Sequence, residues 1–296
     1  MDNLLSNIDT ILADNSDITY VLDEHEKYYL KNLISQYNNN LIELCERSDL
    51  LKESEVKLNL LNTIIHLIFK NSNSKEELIK NSFNNSDIKI TQLLATTFEL
   101  SKYIFDEKFK QNKLSDIRCL ENVTMLGLLS EKTVELDSLL QERLKYINQL
   151  DIDLEYKNIE EKLDFLTSKF FILLSSHIAT KKEVLFILNL ESELDLLLEE
   201  AQNKLIDSDE QFIEFGLKVS ASANIIYLLK EFFYYCRYGE FEDGNSFSSK
   251  LDTYIFNTIK IHEYLNDKEK VVKYTLLRFA LIELFNLSIW SLADKS

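Results

Sequence analysis

A chain of 296 residues with 45% hydrophobic content is long and apolar enough to bury a substantial core. The lack of proline and the presence of only four glycines remove the residues that usually make tight turns and end strands, which argues against an all-β fold. A formal charge of −17 repels phosphate backbones and anionic lipid surfaces, so no direct nucleic-acid binding is expected, and basic proteins or peptides are the natural charged partners.

The opening stretch, "MDNLLSNIDTILADNSD", is acidic and has no positive n-region, which argues against a secretory signal and a mitochondrial presequence. Further on, "LNLLNTIIHLIF" (58–69) spaces Leu58, Leu61, Ile65 and Ile68 on one apolar helix face. The run stops at "KNSNSK", where Ser74 and Glu77 have the Ser-x-x-Glu spacing of a capping box, and a new helix is expected to start. Similar starts are expected at Thr180 with Glu183, Ser208 with Gln211, and Asn266 with Glu269.

Helical periodicity continues through 91–109, 121–150, 159–178, 182–206 and 211–241. The turn-rich "EDGNSFSS" makes 239–248 the best loop candidate, and two final helices are predicted near 249–265 and 268–293. The last apolar window, Leu276 to Ala293, contains Arg278 and Glu283 and therefore reads as a buried helix; no membrane insertion is expected.

Four Ser-Asp elements, at Ser16, Ser48, Ser86 and Ser115, read as helix starts: Ser accepts from an early amide and Asp complements the positive end of the helix dipole. They recur at roughly 30 to 40 residues, a helix-pair spacing. The expected fold is all-α, an irregular α-solenoid of helix pairs, HEAT/TPR-like in outline, with an irregular multi-helix bundle as the alternative. The intervening residues do not align, and the tetratricopeptide, ankyrin and leucine-rich signatures are absent. One continuous domain, 1–296, is expected, with a sub-division near 150 (1–150 and 151–296) as the variant reading.

Signals for chemistry are sparse. No Gly-rich phosphate loop of the Walker or Rossmann type occurs, and His25, His66, His177 and His262 belong to neither HExxH nor ExxH. His66 and His177 read as core or boundary residues. The "DIDLE" at Asp151, Asp153 and Glu155 has Tyr156 and Lys162 where an EF-hand needs Gly and the bidentate Glu. Cys45, Cys119 and Cys236 are widely separated and lack CxxC spacing, which suggests neither disulfides nor zinc and places the chain in a reducing compartment, cytoplasmic or nuclear. No catalytic, cofactor-binding or metal-ligating residue is nominated. The basic clusters Lys108, Lys110 and Lys113, and Lys268, Lys270 and Lys273, are mixed with carboxylates and read as solvated helix faces and ends.

Two features remain. Between Glu183 and Asp243, fourteen acidic residues face Lys204, Lys218, Lys230 and Arg237. Within the same span, "YLLKEFFYYCRYGEF" places four consecutive aromatics on one helix, and successive residues turn by about 100°, so they cannot all meet one core. Glu191, Glu193, Glu199 and Glu200, with Phe233, Tyr234, Tyr235, Arg237 and Tyr238, are the candidate partner-binding residues. The expected function is that of a non-catalytic helical scaffold or adaptor, a subunit or assembly factor of an intracellular multiprotein complex with a basic protein partner. The alternatives are a membrane-trafficking or tethering subunit, and an all-α enzyme or small-ligand binder whose site is assembled from distant helices.

Overall fold

A computed structural model of the chain describes residues 22–45, 50–70, 72, 86–111, 117–149, 158–180, 184–206, 212–238 and 246–293. The fold is all-α. Ten helices are seen among these residues: α1 (Glu24–Cys45), α2 (Leu50–Phe69), α3 (Ser86–Lys110), α4 (Ile117–Leu129), α5 (Thr133–Gln149), α6 (Ile159–Thr180), α7 (Val184–Ile206), α8 (Phe212–Tyr238), α9 (Phe247–Tyr264) and α10 (Lys268–Ala293).

The helix starts follow local chemistry. Before α1, the Glu26 amide donates to Asp23 Oδ1 at 2.8 Å and the Asp23 amide donates to Glu26 Oε2 at 3.0 Å, a reciprocal capping box built on Asp. Ser246 caps α9 by accepting from the Ser249 amide. Ser86 opens α3, as the Ser-Asp reading expected; α2 and α4 begin two residues after Ser48 and Ser115, which lie outside the described residues with Ser16, Ser74 and Ser208. Thr180 is the last described residue of α6; its expected partner Glu183 lies outside the described residues, which resume with α7 at Val184.

Two turns end helices without glycine or proline. The expected run 121–150 is broken into α4 and α5 because Glu131 adopts a left-handed φ of 59°. The Glu131 amide then donates to the Leu128 carbonyl and the Lys132 amide to the Gly127 carbonyl, the paired bonds of a Schellman turn. Asn266, at φ 55°, ends α9 in the same way, with the Asn266 amide on Glu263 and the Asp267 amide on His262. Asn266 is thus the stop of α9, and its neighbour Asp267 starts α10 by accepting from the Lys270 amide at 3.2 Å.

The chain divides into two compact units: residues 1–114 with 125–132, and 115–124 with 133–296. In the first, α2 packs against both α1 and α3. Its predicted face is buried, with Leu61 and Ile65 fully inside, and so are Leu60, Ile64 and Leu67, because a helix with neighbours on two sides needs more than one apolar stripe. Lys57 of α2 is also buried and pairs with Glu53 at 3.0 Å, and Lys108 of α3 reaches Glu55 of α2 at 2.7 Å. Lys108 is therefore a bridge between helices and not part of a solvated face.

In the second unit, α6 packs against α5, α7, α8 and α10, and the consecutive pairs α7–α8, α8–α9 and α9–α10 also pack. Helices far apart in sequence close on α6, as in a bundle. Its Phe170, Phe171, Ile172 and Leu174 are fully buried. α10 carries the apolar window of the sequence. Arg278 is nearly buried there, with its guanidinium 4.6 Å from the ring of Phe256 and 5.2 Å from that of Phe279, and 3.3 Å from Asp252 Oδ1. Among the described residues, no helix is long and apolar enough to cross a membrane.

Candidate functional site

The predicted partner-binding residues lie on α7 and α8, which are close in sequence, pack together and run antiparallel. Lys230 of α8 fixes their register: its ammonium is 2.7 Å from Asp195 Oδ2 and 3.5 Å from Glu191 Oε1, both on α7. Glu200 is paired along its own helix with Lys204 at 2.8 Å. Glu193 feels Lys169 of α6, whose own pKa is lowered by burial and drawn back up by that carboxylate. Glu193, Glu199 and Glu200 are exposed and Glu191 is half-buried. Local cations therefore answer part of the acidic excess.

The aromatic run resolves by direction around α8. Phe232 is fully buried, 5.0 Å from Phe247 and 6.0 Å from Phe285 between ring centroids. Phe233, about 100° further round the helix, is buried against Phe170 of α6, at 6.4 Å, edge to face. Tyr235 lies 5.1 Å from Phe285. Tyr234 instead meets Tyr238 at 4.5 Å, and the Arg237 guanidinium is 5.2 Å from the Tyr238 ring. Tyr238 is 55% exposed and Arg237 is exposed. Of the five nominated aromatic and basic residues, Phe233 is core, Tyr234 and Tyr235 are half-buried packing residues, and Arg237 and Tyr238 are exposed. Neighbouring Cys236 has its thiol pushed up to about 12 by burial, so it is a poor nucleophile.

Two outward residues had no nomination. Leu196 of α7 is 70% exposed and Tyr227 of α8 is 45% exposed. Tyr227 precedes Lys230 by one turn, and Lys230 pairs with Asp195, so the antiparallel register brings Tyr227 level with the turn that begins at Leu196. The signal was in the sequence: Leu196 interrupts the acidic stretch at "ELDLLLEE", where one of three consecutive leucines must point away from the core.

A second constellation, of buried charge, was not anticipated. Glu121 of α4 accepts from Ser168 Oγ of α6 at 2.7 Å and pairs with Lys273 of α10 at 2.9 Å, while Asp164 of α6 pairs with Lys270 of α10. Glu121 and Ser168 are buried. Burial opposes charge on Lys273, but Glu121 and Asp164 outweigh it and raise its pKa. Burial likewise opposes ionisation of Asp164, and Lys273 and Lys270 nevertheless hold its carboxyl below the ordinary value. Lys270 is lowered by burial and by adjacent Lys273. Beside them, buried His262 stacks on Tyr274 at 5.2 Å and faces Asp267 at 3.4 Å, with its pKa lowered mainly by burial.

Lys270 and Lys273 are thus inward clamps, contrary to the solvated-face reading, because each finds a carboxylate on another helix. The pairing also limits their chemistry. Lys273, its pKa raised, is a poor base, and Ser168, fully buried and donating its proton to Glu121, has no approach for a substrate carbonyl. The cluster joins α4, α6 and α10.

His66 is half-buried, its pKa lowered by burial to about 4. His177, Cys45 and "DIDLE" lie outside the residues whose side chains are described. No group of three or more His, Cys, Asp or Glu side chains among the described residues is arranged to hold a metal ion. No family model, no curated protein and no solved structure matches the chain.

Proposed function

We propose that the chain is a helical scaffold or adaptor that binds another protein through the outer face of the α7–α8 hairpin. The observation that supports this reading is the placement of Leu196, Tyr227 and Tyr238 in solvent on one packed helix pair, together with carboxylates. Large apolar side chains grouped at a surface and rimmed by charge are the usual make-up of a protein contact. The buried charge cluster acts on the other side of the problem, holding the hairpin's support helix α6 in place.

The test is recovery of partners from cells that express tagged chain, with Leu196→Asp and Tyr227→Ala introduced together. Loss of a partner that the parent chain retains, at unchanged helicity by circular dichroism, supports the proposal. An identical set of partners sinks it.

A further inference from the structure

The exposed face of α7–α8 also restricts what can bind there. Leu196 and Tyr227 form its apolar centre, level with each other in the antiparallel register set by Lys230. Glu193, Asp195, Glu199 and Glu200 rim that centre, all exposed. The cations near them are committed: Lys230 to Asp195 and Glu191, Lys204 to Glu200, and Lys169 lies in the field of Glu193. Carboxylates still outnumber these cations. A second copy docking by the same patch would bring carboxylates against carboxylates, and an anionic bilayer or nucleic acid would be repelled. A cationic helix with an apolar stripe meets both halves of the patch.

Resting on the scaffold reading above, we infer that the occupant of this face is a basic amphipathic helix of a partner protein. Its apolar stripe lies on Leu196 and Tyr227, and its lysines or arginines reach Glu193, Glu199 and Glu200. At the far end of α8, Arg237 sits beside Tyr238 and gives the face an opposite charge at that end, which sets the direction of the bound helix.

The experiment uses the full chain and three fluorescein-labelled synthetic helices of about 18 residues with the same leucine stripe and a polar face of lysine, glutamine or glutamate. Anisotropy titrations at about 50 and 200 mM salt should show the lysine helix binding at least about tenfold more tightly than the glutamine helix at the lower salt, the gap narrowing at the higher, with the glutamate helix weakest. Leu196→Asp and Tyr227→Ala should each weaken the lysine helix by about fivefold or more. Glu199→Lys with Glu200→Lys should bring the lysine and glutamine helices level, while Glu263→Lys on α9 changes nothing.

Equal binding of the lysine and glutamine helices to the parent chain, still lost in Leu196→Asp, overturns the basic partner and leaves the docking face standing. Indifference to Leu196→Asp and Tyr227→Ala overturns the face itself, and so does failure of every helix to bind. Binding of phosphatidylserine vesicles, or self-association in sedimentation that Leu196→Asp abolishes, assigns the patch to another occupant and overturns the inference.

Discussion

Two regions of the second unit use the same residue types for different ends. At the junction of α4, α6 and α10, Glu121, Asp164, Lys270 and Lys273 are paired inside the protein. On α7 and α8, Glu191, Asp195, Glu200, Lys204 and Lys230 are paired at the surface. What separates them is desolvation. A charge removed from water needs its partner, and losing that partner is costly, whereas a pair still in contact with water contributes little to stability and is free to exchange partners. The contrast explains why the buried set ties helices together, while the exposed set stays exchangeable at the surface.

The sharpest way to break the comparison is Lys273→Met, which removes the ion pair of buried Glu121 and leaves it the Ser168 hydrogen bond and the field of Lys270. A loss of about 3–5 kcal/mol is expected, read as a shift of the urea midpoint. Adding Glu121→Leu should return most of it, since the uncompensated charge is then gone. A result in which Lys273→Met costs no more than a surface change would remove the distinction between the regions.

Next in size is the pair Phe233→Ala and Tyr238→Ala, five residues apart on α8. The first opens a cavity against Phe170 and should cost about 3 kcal/mol or more; the second removes an exposed ring and should cost about 0.5 kcal/mol or less in thermal or chemical unfolding. Similar losses at both positions would mean that the run has no inside and outside.

Acid should act on the buried region through His262. Its folded pKa lies below the ordinary 6.5, so the unfolded chain takes up the proton first, and stability contributed by the neutral ring is complete above 6.5 and declines as pH falls below it. Unfolding of His262→Gln, measured from pH 7.5 down to about 5, should therefore fall less steeply than the parent's. Matching slopes would show that the ring is not held neutral. The smallest effect belongs to the surface: Glu200→Gln should change stability by about 0.5 kcal/mol or less, although the pair with Lys204 is 2.8 Å long.

The sequence conveyed the helices better than their joints. Periodicity located α6, α7, α8 and α10 within a few residues, because long runs of leucine, isoleucine and phenylalanine at helical spacing leave few other ways to be buried. The break at Glu131 was missed because a glutamate in the left-handed region carries no punctuation that composition can reveal. Asn266 and Asp267 divide between them the stop and start that one cap was expected to provide. The outward part of the candidate face was legible in the excess of aromatics over what one core can take. Its division into Phe232 and Phe233 inside, Tyr234 and Tyr235 half-buried and Tyr238 outside depended on where α6, α9 and α10 pack, which no local pattern specifies. Lys270 and Lys273 were misread for the same reason, since the carboxylates that draw them inward belong to other helices.

The separation of those ion pairs along the chain also bears on the order of assembly. Asp164 waits 106 residues for Lys270, and Glu121 waits longer still for Lys273. At 5–20 residues per second, a ribosome leaves Asp164 without its partner for about 5 to 20 s. During that interval the first helices of the unit carry carboxylates that have every reason to stay wet, so α6 cannot settle into its final surroundings. α10, made after them, is therefore the helix that licenses the burial of α4 and α6, and nascent chains halted before Lys270 should remain open to proteolysis at α6.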